Sequence, residues 1–397
     1  MEIPWFVQYE VTYSCNARCV FCYNRSREKP PPFNKIEKIL ASLKREEIPH
    51  IQLTGGEIST VPSIGKVFQL VKQFENSVFS VVTNGYLKLN VPSNVLSIFI
   101  SLHGDLKLHQ KLTGCSREMY RNLLRHIKEY VSEGFDVNCD TILCKYNYDK
   151  LKEIAEMAYH LGFRRMFVNK FELGGIGSGN KERLRVNIEE MRNAVTQMVE
   201  INKKYRDFEI LFGTSVPYCI DERIIKENLY FTCGAGEWSC AIDPKGNVRI
   251  CNQGLKVIGN ILKENLEKIW REKCKIYKNL EHLRNPCTSC SLKKICKGGC
   301  FVHNVNGKEL LDIDYLLNDF TPDFEKLKIL WKKRKRKKYL FGKDRFRVIK
   351  SRGKFYILSP RFQILEIPKE VYEYLKNKEI VIKNKSVRKL FAKLGII

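Results

Sequence analysis

The sequence predicts an α/β protein: a partial (β/α)6 TIM-like barrel, then a cysteine-rich domain, then a small C-terminal α+β module. Three observations carry this. Over residues 1–205, short β-branched apolar runs alternate with amphipathic helical stretches. From 206 to 325 that rhythm gives way to closely spaced cysteines and turn residues. After a basic linker over 326–340, the tail 341–397 returns to strand-like alternation.

The elements follow in order. Phe6–Tyr13 (FVQYEVTY) reads as a strand that delivers Cys15 to its C-terminal end. A helical stretch near Ile36–Arg45 precedes the apolar run Ile48–Leu53, which leads into Thr54-Gly55-Gly56-Glu57. Phe79–Thr83 ends in Asn84-Gly85, and Val95–Leu102 in His103-Gly104-Asp105. Asp136–Leu143 leads to Tyr146-Asn147, and Arg165–Asn169 to a loop with four glycines between Gly174 and Gly179. Amphipathic stretches Ser116–Tyr130 and Asp149–Leu161 lie between them, as crossovers between parallel strands require. In such barrels the active site lies at the C-terminal strand ends. Cys15, Glu57, Asn84, Ser101, Asn147 and the glycine loop all fall there. That loop lacks the strand-to-helix context and downstream acid of a dinucleotide fingerprint.

Cys15, Cys19 and Cys22 form C-x3-C-x2-C. Three thiolates this close hold three corners of a [4Fe–4S] cube and leave the fourth iron without a protein ligand. A zinc knuckle or three buried thiols could share the spacing; the Gly-Gly-Glu one β/α unit later separates the readings. Glycines there let backbone carbonyls approach a ligand, and Glu57 adds a carboxylate. Further on, Cys233, Cys240 and Cys251 surround Asp243-Pro-Lys-Gly-Asn247, with Cys240–Ile242 and Asn247–Ile250 reading as a hairpin. Leu266–Trp270 opens an amphipathic helix, and Cys287, Cys290, Cys296 and Cys300 form C-x2-C-x5-C-x3-C. Cys115, Cys139, Cys144 and Cys274 have no partner pattern, and Cys139 and Cys144 read as buried apolar thiols.

On these motifs the chain resembles the radical S-adenosylmethionine (SAM) enzymes with a SPASM extension, over roughly residues 5–303. The resemblance implies that Cys15, Cys19 and Cys22 bind a catalytic [4Fe–4S] cluster whose open iron SAM chelates. Reductive cleavage of SAM then yields a 5′-deoxyadenosyl radical that abstracts hydrogen from a substrate. Gly55, Gly56 and Glu57 would hold the methionine end of SAM, with Ser101 and Asn147 as further contacts; turn chemistry is the other reading of those two. One or two auxiliary Fe–S clusters are implied, Cys233, Cys240, Cys251 and Cys300 holding one, and Cys287, Cys290 and Cys296 the second. The chain departs from the family pattern in having no cysteine after Cys300. The second cluster therefore takes another ligand (His303, Asp312 and Asp314 are nearest), keeps an open iron, or does not form. Cys219 is a spare thiol that could enter either cluster, and structural zinc is the alternative for all these thiols.

The family tendency implies hydrogen abstraction from a peptide or protein, with an external one-electron reductant of ferredoxin or flavodoxin type; a small molecule or cofactor precursor is the alternative substrate. Asn252 stands where sulfatase-maturing relatives carry an Asp base, which disfavours that reaction. In the tail, Phe346–Ile349, Lys354–Leu358 and Phe362–Ile367 read as strands, Glu370–Leu375 and Ser386–Lys393 as helices. That order is similar to a winged-helix peptide-recognition element, which captures a leader peptide by strand addition.

Lys and Arg outnumber Asp and Glu 70 to 44, a net charge of +26, and Lys332–Lys338 reads KKRKRKK. Such charge attracts nucleic acid, acidic peptides or anionic surfaces, although it equally describes a solvated face. Nucleic acid is a possible partner but not the favoured one, and a zinc-bound nucleic-acid-binding protein is the non-catalytic alternative. No apolar run is long enough to span a bilayer and no secretory segment is evident, so no membrane partner is expected. The 15 cysteines then point to a reducing cytoplasm.

Overall fold

The computed structural model describes residues 3–24, 26–305, 308–318, 320–334, 347–359 and 363–377. Six strands lie side by side in chain order, all parallel: β1 (Phe6–Thr12), β2 (His50–Gly55), β3 (Val78–Thr83), β4 (Val95–Ser101), β5 (Val137–Leu143) and β6 (Arg165–Lys170). Val7, Tyr9, Val11, Ile51, Leu53, Ile98 and Ile100 alternate along their strands onto one buried apolar face, while the other face carries buried polar residues such as Glu10, Gln52, Thr54, Ser80 and Asn138. Helices Phe33–Arg45, Arg117–Ser132, Leu151–His160 and Ile188–Lys204 make crossovers. Ile36, Ile39, Leu40 and Leu43 recur at helical spacing and bury the inner face of the first. Ser116 and Asn187 cap two of the others, accepting from the N–H groups of Met119 and Glu190.

The sheet extends beyond those six strands. β7 (Glu209–Phe212) pairs parallel with β6, past the expected barrel boundary at 205. At the other edge β8 (Ser239–Ile242) pairs parallel with β1, and β9 (Asn247–Arg249) and β10 (Gly259–Asn260) follow antiparallel. The cysteine-bearing hairpin thus continues the barrel sheet and covers what would otherwise be the open edge of β1. A buried ion pair between Arg249 of β9 and Glu10 of β1 locks it there, and the Tyr13 hydroxyl donates to Glu10 at 3.1 Å.

A hairpin, β11 (Val302–Val305) with β12 (Lys308–Leu311), and the helix Phe324–Lys333 follow. The tail forms an antiparallel sheet, β13 (Arg347–Ser351), β14 (Lys354–Ser359) and β15 (Gln363–Ile367), with the helix Lys369–Asn377. Ile349 and Leu358 pack on Val78 and Leu96, which stand at the N-terminal ends of β3 and β4. The Ser351 hydroxyl donates to the Glu47 carbonyl at 2.6 Å. The tail sheet therefore sits on the barrel face opposite the C-terminal strand ends. Residues 335–338 of the basic run and the helix expected at 386–393 lie outside the described residues. Among the described residues no helix is long and apolar enough to cross a membrane.

Candidate active site

Cys15, Cys19 and Cys22 lie on the loop after β1, half-buried, and line one open cavity at the C-terminal strand ends. The loop is held by its backbone. Arg18 and Val20 donate N–H bonds to the carbonyls of Thr113 (2.8 Å) and Leu112 (2.9 Å). From the other side Gly177 N–H donates to Cys22 O (2.8 Å), Ile176 N–H to Asn24 O (3.1 Å) and Asn180 Nδ2 to Val20 O (2.8 Å). The approach is close enough to demand glycine. A Cβ on Gly175, whose φ is +49°, would overlap the Tyr23 carbonyl, and one on Gly177 would lie 2.7 Å from the Phe21 carbonyl carbon. The glycine loop therefore braces the cysteine loop. Burial pushes all three thiols up, and at Cys19 the neighbouring Cys22 and Cys15 push further. Three crowded, desolvated thiols become stable thiolates when a metal centre supplies the positive charge, so this donor set fits an iron–sulfur cluster.

Gly55 and Gly56 press the end of β2 against the same loop. A Cβ on either would overlap the carbonyl of Thr12 or Ser14, while Gly56 N–H donates to Thr12 O (2.7 Å) and Glu57 N–H to Ser14 O (2.8 Å). Glu57 lines the cavity as a brace. Its carboxylate accepts from Thr83 Oγ1 (2.7 Å), Asn84 N (2.6 Å) and Ser59 N (3.0 Å), tying the ends of β2 and β3 together. Burial pushes this carboxyl up against the pull of those donors. Ser101 ends β4 in the cavity wall. Asn147 is not among the lining residues: fully buried, it accepts from Cys144 N–H and donates to Ile142 O, both at 2.8 Å, and so closes its own turn. His103 and His109 are buried, and desolvation lowers both, His109 to about 4, so neither carries charge near neutral pH.

The sequence reading missed Asp140, midway along β5, and Asn169, Lys170 and Glu172, at and just past the end of β6, all of which line the cavity. For the last three, position at a C-terminal strand end was the available signal. Lys170 Nζ lies 2.6 Å from Glu172 and 3.3 Å from Asp314, all three buried. Burial opposes the Lys170 charge, but the two carboxylates outweigh it and raise its pKa. Two carboxylates share one ammonium, and burial lifts Glu172 to about 8.

Cys233, Cys251 and Cys300 line this same cavity, and the charge of Cys233 is felt by both of the others. Cys240 does not join them. It is buried on β8 opposite Val7 of β1, with Cys274 as its thiol neighbour, because pairing with β1 carries it away from the cavity. Cys287, Cys290 and Cys296 gather on two short helical turns, Cys287–Ser289 and Lys293–Cys296, and the next residue after the first. Of the three candidate oxygen and nitrogen ligands, Asp312 pairs with Arg284 (2.7 Å) and Asp314 with Lys170, while His303 bonds Ile313 O through Nε2 (3.3 Å) and keeps a buried Nδ1 without a hydrogen-bond partner. Among the described residues no three His, Cys, Asp or Glu side chains are close enough to share a single metal ion.

The radical SAM superfamily model matches residues 9–171, and the SPASM iron–sulfur cluster-binding domain matches residues 233–298. Mycofactocin maturase MftC of Mycolicibacterium smegmatis is 24% identical over 322 residues, 76% of this chain and 79% of the relative. AdoMet-dependent heme synthase of Methanosarcina barkeri is 24% identical over 323 residues, 74% of this chain and 90% of the relative. Streptococcus suis SuiB bound to precursor peptide SuiA shares the fold, with a TM-score of 0.58 at 17% identity over 76% of this chain and 72% of SuiB. An iron–sulfur family replaces structural zinc as the reading of the cysteine-rich segment. The chain belongs to the radical SAM superfamily and carries a SPASM domain: it is an enzyme whose cofactors are a [4Fe–4S] cluster, SAM and auxiliary iron–sulfur clusters.

Proposed function

We propose that this enzyme abstracts hydrogen from a peptide or protein substrate and so matures it. The observation that carries this reading is one cavity lined both by Cys15, Cys19 and Cys22 and by Cys233, Cys251 and Cys300. The cofactors supply a 5′-deoxyadenosyl radical to take the hydrogen atom and an auxiliary cluster to accept the electron that the product gives up. In this reading Cys15, Cys19 and Cys22 ligate the catalytic cluster. The carbonyls at Gly55 and Gly56 receive the ammonium of SAM, Glu57 holds that turn in place, and Ser101 adds a polar contact. The electron comes from an external donor of ferredoxin or flavodoxin type in a reducing cytoplasm.

The relatives support a peptide: one is named a maturase, and SuiB is seen with a precursor peptide. A net charge of +26 favours an acidic one. If the tail sheet captures a leader, the peptide must run from the N-terminal barrel face to the cavity. That span is at least a strand length, roughly 20 Å or six extended residues. The test is anaerobic reconstitution with iron and sulfide, then dithionite and SAM, assaying 5′-deoxyadenosine with and without precursor peptides. Deletion of 341–397 should abolish peptide turnover while peptide-independent SAM cleavage, the control for folding, persists. Equal peptide turnover in the deleted chain would remove the tail from substrate capture. The similarity to a heme synthase favours a second reading, a small cofactor-precursor substrate. It is supported if a tetrapyrrole, and no peptide, stimulates deoxyadenosine formation.

A further inference from the structure

We propose that Cys219 is the fourth thiolate of the second auxiliary cluster, with Cys287, Cys290 and Cys296, and that the first has only Cys233, Cys251 and Cys300 from the protein. This rests on the iron–sulfur reading of the SPASM region. No cysteine follows Cys300 within these 397 residues, so another thiol is sought for the second set. The segment after β7 supplies one from upstream. It folds back onto Cys296–Gly299: the Ser215 hydroxyl donates to Cys296 O at 3.5 Å, and Cys296 Sγ lies 4.0 Å from Val216 O. The Tyr218 N–H donates to the Cys296 sulfur, and a Cβ on Gly299 would lie 2.9 Å from Pro217 Cδ. Tyr218 is itself fixed, buried and stacked on Trp331 at 6.0 Å between ring centroids. The next residue is Cys219. Its half-buried thiol has the thiols of Cys296, Cys287 and Cys290 as neighbours.

The other half of the inference concerns Cys240. To meet Cys233, Cys251 and Cys300 it would have to leave β8, whose register with β1 runs from Ser239 to Ile242. Removing that strand would unpair the barrel edge and the buried Glu10–Arg249 pair with it. Three thiolates would leave one iron of the first cluster without a protein ligand, and the half-buried thiols that would hold it line the cavity.

Cys219→Ala and Cys240→Ala, each in the full chain and in a Cys15/Cys19/Cys22→Ala background, test this by iron and sulfide counts and by electron paramagnetic resonance of the reduced protein. The triple background removes the catalytic cluster, so what remains reports the auxiliary ones. Cys219→Ala should lose one cluster's iron, or give a [3Fe–4S] signal on mild oxidation. Cys219→Ser should keep the iron with a shifted spectrum, which separates lost ligation from lost folding. Cys240→Ala should match the parent in iron and spectrum. Unchanged iron and spectra in both Cys219 variants, or cluster loss in Cys240→Ala with its circular dichroism intact, would overturn the assignment. Absence of iron from the triple background itself would instead sink the SPASM reading beneath it.

Discussion

The catalytic and the auxiliary thiols are built in opposite ways. Cys15, Cys19 and Cys22 come from one loop at the end of one strand, and neighbouring segments only brace it. The thiols proposed for the auxiliary clusters come from separated stretches, 219, 233–251 and 287–300, and sheet pairing fixes where β8 carries Cys240. The contrast teaches that a ligand set within one loop survives as a spacing, whereas a set drawn from several segments depends on every element that holds them in register.

Substitutions can break that contrast. The largest effect falls on the local set: Cys15/Cys19/Cys22→Ala should bring deoxyadenosine formation to background while auxiliary iron is retained. Loss of all iron would instead count against iron–sulfur clusters at the downstream thiols. Next is the joint between them. Arg249→Ala leaves Glu10 buried without its cation and removes the 2.8 Å bond to Gly254 O that shapes the turn after Cys251. Stability should fall by about 3–5 kcal/mol in urea unfolding, with auxiliary iron lost before catalytic iron.

A third test asks whether the cavity's electrostatics are likewise a product of the sheet. Burial raises the Asp140 carboxyl to about 6, against the bond from Asn169. Because an unfolded Asp titrates near ~3.9, ionisation costs folding free energy at pH values above 6. Asp140→Asn should therefore be more stable than the parent above that pH, by up to about 3 kcal/mol. The gain should vanish as pH falls through 6 to about 4; a pH-independent difference in thermal midpoints would count against the burial argument.

The braces give a smaller effect. Gly177→Ala meets backbone at Phe21, which cannot yield, and should cost about 1–3 kcal/mol and weaken iron retention. Gly179→Ala, with nothing within 4 Å of its Cβ, should be near neutral, and equal effects at both would refute the close-approach account. Smallest is Arg352→Ala, which removes a half-exposed ion pair to Glu267 at 2.5 Å. A chemical melt should barely resolve the change, since such pairs are screened by solvent.

Much of the barrel was legible because its strands place apolar residues at alternate positions and end in glycine, serine or asparagine turns. Each expected strand from Phe6 to Asn169 overlaps an observed one. The cysteine loop and Gly55-Gly56-Glu57 were legible for the same reason: residues close in sequence that meet at one strand end. The turn that Asn147 closes was not legible, because an asparagine that closes its own turn and one that meets a ligand look alike in sequence. Lys170 and Glu172 went unnoticed because a Lys-x-Glu is unremarkable until burial and Asp314, 142 or more residues away in the chain, make it an ion cluster.

The sequence by itself determined the alternating strands and helices, the three-thiol loop with its glycine partner, and the supply of thiols downstream. Those depend on spacing and residue type within one or two turns of chain. Only the tertiary structure decided that the hairpin extends the barrel sheet, that Cys240 goes with β8 while Cys219 faces Cys296, and that the tail sits on the face away from the cavity. Each of those outcomes is a choice among pairings of similar local sequence. The choice is made by which one buries Val78 and Leu96, pairs the edge of β1 and neutralises Glu10, and these are long-range energies that no spacing encodes.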